Sequence, residues 1–167
     1  FDREAATVKN LQHPAIVELL DFGVDDSDMP YIAFEMLEGR TLHEELKMCS
    51  SLGLERAADI TRQGLQALQW AHAHQVVHRD IKPTNIMVTA DGKVKIIDFG
   101  QSCKINTIKQ RIQGTPDYIA PEQVLRKQIT YQTDVFNLGA TMYWMLTGSY
   151  VPTLIPKKEA GIQLRSE

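Results

Sequence analysis

Between two short apolar runs, "NIMV" and "KVKII", the chain carries Asp91-Gly92. Asp-Gly in that setting predicts a tight hairpin, because both residues accept the positive φ that a strand-matched two-residue turn requires. The fold-back constrains more than the turn. It carries "HRDIKPTN" (78–85), just before the first strand, to the same end of the hairpin as "DFG" (98–100), just after the second. Two carboxylates, an amide and a lysine are thereby directed to one place.

The flanking sequence supplies the frame. "FDREAATVKNLQ" has apolar residues at Phe1, Ala5, Val8 and Leu11, close to helical spacing. His13-Pro14 ends that helix, since the residue before proline avoids the helical region. "AIVELLDFG" and "YIAFEML", separated by the Asp- and Ser-rich "VDDSDMP", read as the strands of another hairpin. "GRTLHEELKM" opens a helix with Thr41 as N-cap and Glu44 three residues on, the pattern of a capping box. Residues 54–74 predict a long amphipathic helix in which Leu54, Ala57, Ala58, Leu65, Leu68 and Ala71 share a face. Gly64 inside it lowers helix propensity by about 1 kcal/mol against Ala, so it is expected to mark a close helix contact. The segment 101–120 is polar and without periodicity. Pro121 leads into a short helix, and "TDVFNLGATMYWMLTG" makes a further one, closed by Gly148. Trp70 and Trp144 are expected in the core, His72 and His74 as packing and surface groups.

Composition excludes several classes. Of 167 residues, 43% are hydrophobic and 23% charged, an ordinary globular balance with room for a sizeable core. The net charge of −3 gives no basic excess, so nucleic acid is not an expected partner. Cys49 and Cys103 stand far apart without metal-ligand spacing, which reads as free thiols in a reducing, cytoplasmic setting. The longest apolar stretch, 135–146, is too short to span a bilayer. No signal peptide is visible, and both ends read as internal to a longer chain.

The triplet Asp-Phe-Gly occurs twice, at 21–23 and at 98–100. Asp80 is followed by Lys82 and Asn85, and eighteen residues later by Asp98. Phosphoryl transfer needs an acceptor that orients the attacking hydroxyl, metal ions on the phosphates, and positive charge against the developing negative charge. A carboxylate and an amide carbonyl are hard oxygen donors suited to Mg²⁺. Asp80, Lys82, Asn85 and Asp98 supply these roles. The first triplet has no such company and reads as a surface or turn element.

With those residues in view, the chain resembles a eukaryotic-type (Hanks-type) Ser/Thr protein kinase domain, of bacterial flavour, from the C helix to just after the F helix. "HRDIKPTN" resembles the catalytic loop, "IIDFG" the metal-binding strand end, "GTPDYIAPE" (114–122) the end of the activation segment, and "TDVFNLG" (133–139) the F helix. The resemblance implies an α+β, protein-kinase-like fold, truncated: part of the small-lobe sheet with the hinge over 1–37, a helical large lobe over 38–148, and an irregular tail over 149–167. It implies ATP and Mg²⁺ as cofactors and proteins with Ser or Thr acceptors as substrates. Asp80 would orient the nucleophile, Lys82 steady the phosphoryl group, and Asn85 and Asp98, followed by Gly100, hold metal. Phe34 would be the gatekeeper, Glu35 and Leu37 would offer backbone groups to adenine, and Met87 would pack beneath it. Glu4 would sit where the C-helix glutamate grips the ATP-anchoring lysine. Val8, Leu19, His78 and Phe99 would stack as the regulatory column, and Asp134 would brace the catalytic loop. Lys82 together with Thr115 points to Ser/Thr rather than Tyr acceptors. Arg79 would receive a loop phosphate, with Thr107 and Ser102 as candidate phosphosites. The chain departs from the family pattern in having no glycine-rich loop, no lysine strand before Glu4 and no arginine downstream for Glu122; these 167 residues alone are therefore expected to transfer little phosphate. The competing expectations are a non-catalytic kinase-like binding module and a small-molecule phosphotransferase.

Overall fold

A computed structural model describes residues 8–152 of the chain. Most of the expected first helix, Glu4 within it, and the tail beyond residue 152 lie outside the described residues. Strands β1 (Leu19–Val24) and β2 (Pro30–Phe34) form an antiparallel hairpin. Its turn is closed by Asp25, whose carboxylate accepts from the Ser27 and Met29 amides at 2.8 and 2.9 Å. The first Asp-Phe-Gly lies inside β1, where exposed Asp21 accepts from the Tyr31 hydroxyl at 2.8 Å. The strand begins later than its apolar run: residues 15–17 run beside the hairpin that turns at Asp91-Gly92 instead, with Val17 N–H donating to the Ile96 carbonyl at 3.0 Å.

Strand β3 (Gly39–Thr41) leads into α1 (Leu42–Cys49), capped as expected. The Glu44 amide donates to Thr41 Oγ1 at 3.2 Å, and the Thr41 amide donates to Glu44 Oε2 at 2.8 Å. Helix α2 (Leu54–Ala73) follows, then β4 (Val76–Val77), a 3₁₀ turn at Pro83–Asn85, β5 (Ile86–Thr89), β6 (Val94–Ile96), β7 (Cys103–Lys104), α3 (Pro121–Val124) and α4 (Tyr131–Thr147). β5 and β6 pair antiparallel around Asp91-Gly92, but the turn is not the expected two-residue one: Thr89 N–H donates to the Lys93 carbonyl at 2.9 Å across residues 90–92, and only Gly92, at φ +82°, takes a positive φ. β3 extends that hairpin to three strands, and β4 pairs with β7. Strands of two or three residues have no local periodicity, which is why β3, β4 and β7 are not legible in the sequence.

The core fills the space between α2, α4 and the β5–β6 hairpin, with Leu42, Ile60, Leu68, Ile86, Ile96 and Leu138 at 1% exposure or less. The buried stripe of α2 differs from the expected one. It is Ala57, Ile60, Gly64, Ala67, Leu68 and Ala71, whereas Leu54 and Leu65 are 67% and 45% exposed and Ala58 is exposed too. Small residues line the inner face because α4 packs on it. Trp70 is likewise 40% exposed rather than in the core, while Trp144 is half-buried against His43 and Tyr150.

Gly64 does face α4, yet a methyl group there would meet the Leu138 Cδ atoms at 3.5 and 3.6 Å, ordinary contact distances. Gly64→Ala is therefore expected to stabilise the protein by up to about 1 kcal/mol through helix propensity. Thermal denaturation should show a rise of about 2–4 °C; a lowered midpoint would mean that the helices cannot yield at this contact.

Candidate active site

The site is built on a bend after β4. Arg79 has φ +73°, a conformation that costs a non-glycine residue on the order of 1–3 kcal/mol and must be held by its surroundings. The holder is Asp134 of α4, completely buried, which accepts from the His78 amide at 2.9 Å and the Arg79 amide at 2.7 Å. Asp134 Oδ2 also lies 2.8 Å from His72 Nε2. A carboxylate only accepts, so His72 donates there; its ring stacks on Tyr131 at 4.5 Å. His78 is fully buried, with its ring edge on Phe99 at 4.7 Å. The Asp80 amide donates to His78 Nδ1 at 3.3 Å, which leaves Nε2 to donate to the Ile97 carbonyl at 3.2 Å. Val8 and Phe99 are buried in the same cluster, and half-buried Leu19 packs against it.

The bend aims Asp80, 8% exposed, into a triangle of polar groups. Thr115 donates to Asp80 Oδ1 at 3.0 Å, Lys82 donates to Thr115 Oγ1 at 2.8 Å, and the Lys82 ammonium stands 3.0 Å from Asp80 Oδ2. Asn85 donates its amide hydrogens to the Asp80 carbonyl at 2.9 Å and, more weakly, to Asp80 Oδ2 at 3.4 Å. The hairpin register, Ile86 opposite Ile96, sets Asn85 beside Ile97, whose amide donates to the Asn85 carbonyl at 3.0 Å. Asp98 is the next residue, exposed and at φ +60°, with Oδ1 accepting from the Gly100 amide at 3.2 Å. Asp80, Lys82, Asn85 and Thr115 thus converge from segments up to 35 residues apart, and the Asn85–Ile97 backbone bond sets Asp98 one residue from that cluster.

The donor set fits a magnesium ion. Among the described residues, no protein donor reaches Asn85 Oδ1 or Asp98 Oδ2, so one amide oxygen and one carboxylate oxygen are open to a hard cation. No group of three or more His, Cys, Asp or Glu side chains that could hold a metal occurs among the described residues. Mg²⁺ needs no such cage, because it retains waters and takes substrate phosphates as ligands.

Phe34 ends β2 and packs on the core, with Glu35 and Leu37 following and Met87 half-buried in β5. Among the described residues no donor or acceptor engages the Glu35 carbonyl or the Leu37 amide, so both backbone groups are open to a ligand. The Glu35 side chain ties this segment to the hairpin instead. Its Oε1 accepts from the Glu18 amide at 2.9 Å and pairs with the Lys95 ammonium of β6. Partial burial opposes ionisation of Glu35, but the hydrogen bonds from Lys95 and the Glu18 amide together with the Lys95 charge outweigh it, so its pKa lies below the ordinary 4.5. A depressed folded-state value stabilises above the unfolded pKa and is lost as pH falls through the folded one. Glu35→Gln is therefore expected to lower the melting temperature at neutral pH. The difference from the parent should shrink once pH falls below the ordinary carboxylate range; a difference that persists unchanged in acid would contradict the assignment.

The remaining predicted residues spread along the segment after Gly100. Arg79 is 2% exposed and donates to the Gln101 carbonyl at 2.7 Å and to Gln113 Oε1 at 3.4 Å. Thr107 donates its hydroxyl to the Lys104 carbonyl at 2.6 Å, and Ser102 donates its amide to the Phe99 carbonyl at 2.9 Å. Glu122 accepts from the Thr133 hydroxyl at 2.6 Å. His72 is a structural partner that sequence reasoning assigned to packing or surface; the spacing of its helix toward "VVHRD" was the one available signal. Gln123 and Asn137, only 4% and 1% exposed, are further buried polar residues to which the sequence assigns no role in the site.

Comparison with known proteins was made on this geometry. A family model described as protein kinase domain matches residues 1–163. A probable serine/threonine-protein kinase of Streptomyces coelicolor is 39% identical over 156 residues, covering 88% of this chain and 23% of its own. One of Clostridium perfringens is 40% identical over 152 residues, covering 89% and 22%. The serine/threonine-protein kinase PknB of Mycolicibacterium smegmatis is 36% identical over 157 residues, covering 89% and 25%. The chain spans about a quarter of the length of these curated relatives.

Proposed function

This chain belongs to the protein kinase domain family, and from that premise we propose that it is the catalytic segment of a serine/threonine-protein kinase that moves the ATP γ-phosphate to protein hydroxyls. The observation that carries this reading is the triangle of Asp80, Thr115 and Lys82 beside Asn85 and Asp98. Asp80 orients the acceptor hydroxyl and takes its hydrogen bond. Lys82 sets a positive charge against the oxygens of the transferred group. Thr115 fixes the wall on which a Ser- or Thr-bearing segment lies. Asn85 Oδ1 and Asp98 would hold Mg²⁺; when bound, the ion offsets phosphate charge and supplies a template for in-line transfer. The Glu35 carbonyl and Leu37 amide would take the adenine edge, over Met87. Regulation by phosphate on Thr107 or Ser102, read by Arg79, is part of the same proposal.

Proteins with Ser or Thr acceptors are the proposed substrates. No helix among the described residues is long and apolar enough to cross a membrane. The free cysteines Cys49 and Cys103 fit a reducing compartment, and we place this segment on the cytoplasmic side. The alternative, a non-catalytic binding module, gives no reason for Asp80, Lys82, Asn85 and Asp98 to assemble.

The test is transfer from γ-labelled ATP with Mg²⁺ onto casein or a basic protein, made with the whole protein that contains this segment. Labelled phosphoserine and phosphothreonine, abolished by chelation, are expected. Absence of label, or label on tyrosine alone, would refute the reading.

A further inference from the structure

Gln123 is the first residue after the Ala-Pro-Glu of the activation segment, on the one-turn helix α3, and it is 4% exposed. All four hydrogen-bonding positions of its amide are used. Nε2 donates to the Arg79 carbonyl at 2.9 Å and to the Gln113 carbonyl at 3.2 Å. Oε1 accepts from the Ala120 amide at 3.0 Å and from Asn137 Nδ2 of α4 at 3.3 Å. The two carbonyls and the Ala120 amide fix which way the amide points, since the flipped orientation would set oxygen against oxygen. Asn137 is held in turn, donating to the Tyr118 carbonyl at 2.6 Å.

These contacts fall on both sides of one functional distance. The Arg79 carbonyl belongs to the peptide leading directly into Asp80, and the Gln113 carbonyl lies two residues before Thr115. Asp80 and Thr115 meet at 3.0 Å. Arg79 is therefore pinned at its amide by Asp134 and at its carbonyl by Gln123, two buried side chains from different helices. Asp134 ties the catalytic loop to His72 of α2; Gln123 ties the backbone of that loop to the backbone of the substrate-facing wall, behind the side-chain contacts of Asp80 and Lys82 with Thr115.

We propose that Gln123 is a positioning residue that sets the separation of Asp80 from the Thr115 wall, so that the catalytic carboxylate is aimed only while the end of the activation segment is docked. It acts through the backbone of Arg79 and Gln113 and does not touch substrate. The proposal rests on the kinase reading for its effect on rate, but the coupling itself is a structural property that can be measured without ATP.

The test compares the parent with Gln123→Met, which keeps length and loses all four hydrogen bonds, and Gln123→Glu, which keeps the acceptor contacts and replaces the donor by an oxygen set against two carbonyls. In the kinase assay both variants should lose kcat by about 10²-fold, the scale of an ångström of misplacement, with KM for the protein substrate raised and KM for ATP unchanged. A merely structural role would instead lower the amount of active enzyme and leave kcat per active site and both KM values alone; that result overturns the proposal. Amide hydrogen exchange without nucleotide is the second measurement, and it serves even where one variant folds poorly. Faster exchange confined to 78–80 and 113–118 supports the coupling, and exchange equal to the parent's overturns it. If the parent transfers no phosphate, the kinase reading falls, and the exchange data still decide on Gln123.

Discussion

Changing Asp80 to asparagine in the whole protein that contains this segment is expected to lower kcat for the proposed phosphoryl transfer by about 10²–10⁴-fold, the usual contribution of a positioned general base, with the fold retained. Asparagine can still accept from Thr115, and the bend that carries it is held by other groups, the Asp134 carboxylate and the Gln123 amide. The substitution removes the charge that orients a hydroxyl and the partner of the Lys82 ammonium, which stands 3.0 Å away. Circular dichroism should therefore give a melting curve close to the parent's, and KM for ATP should hold, since the groups proposed to face adenine, the Glu35 carbonyl and Leu37 amide, lie on the segment after β2. Phosphoryl transfer at the parental rate would remove Asp80 from its role. Activity lost together with the fold would make it a structural carboxylate instead.

The converse is expected at Asp134. Asp134→Asn should destabilise the protein by about 3–5 kcal/mol, the range for breaking a buried charge-assisted cluster. The residue has no solvent exposure and takes hydrogen bonds from the His78 and Arg79 amides and from His72. An asparagine offers one oxygen and one NH₂ group to three donors, so at least one backbone donor is left facing another donor in the interior. At this chain length the loss corresponds to a melting temperature lowered by about 10 °C. Activity should fall further than the folded fraction does, because the strained bend at Arg79 loses its anchor. A variant that melts like the parent would show that the bend is held elsewhere.

What was legible in the sequence is what is local. Asp91-Gly92 placed the hairpin, Thr41 with Glu44 placed the start of α1, and Gly148, at φ +66°, placed the end of α4. Once the hairpin was placed, Asn85 and Asp98 had to lie at the same end, and the structure brings Asp80, Lys82 and Thr115 to them. The misreadings concern what is distant. The inner face of α2 is mostly alanines and a glycine around Ile60 and Leu68, which give little hydrophobic contrast against Leu54 and Leu65; Ala57, Leu68 and Ala71 lie inside as expected, while Leu54, Ala58 and Leu65 do not. His72, Gln123 and Asn137 are polar, and polar side chains are mostly exposed. Their burial follows from partners 14 to 62 residues away. Nor does an arginine or an aspartate announce a positive φ; Arg79 and Asp98 take that shape because Asp134, Gln123 and the Gly100 amide hold it.

The separation between Asp134 and the bend it anchors also has a consequence in time. The carboxylate lies 56 residues after His78 and 55 after Arg79. At translation speeds of about 5–20 residues per second, the nascent chain carries Asp80 for roughly 3–11 s before the anchor has even been polymerised. Until then the strained peptide lacks the anchor on its amide side, and a chain synthesised only that far is expected to be catalytically silent. Any activity of the whole protein would thus wait on the synthesis of α4, a delay written into the order of its residues.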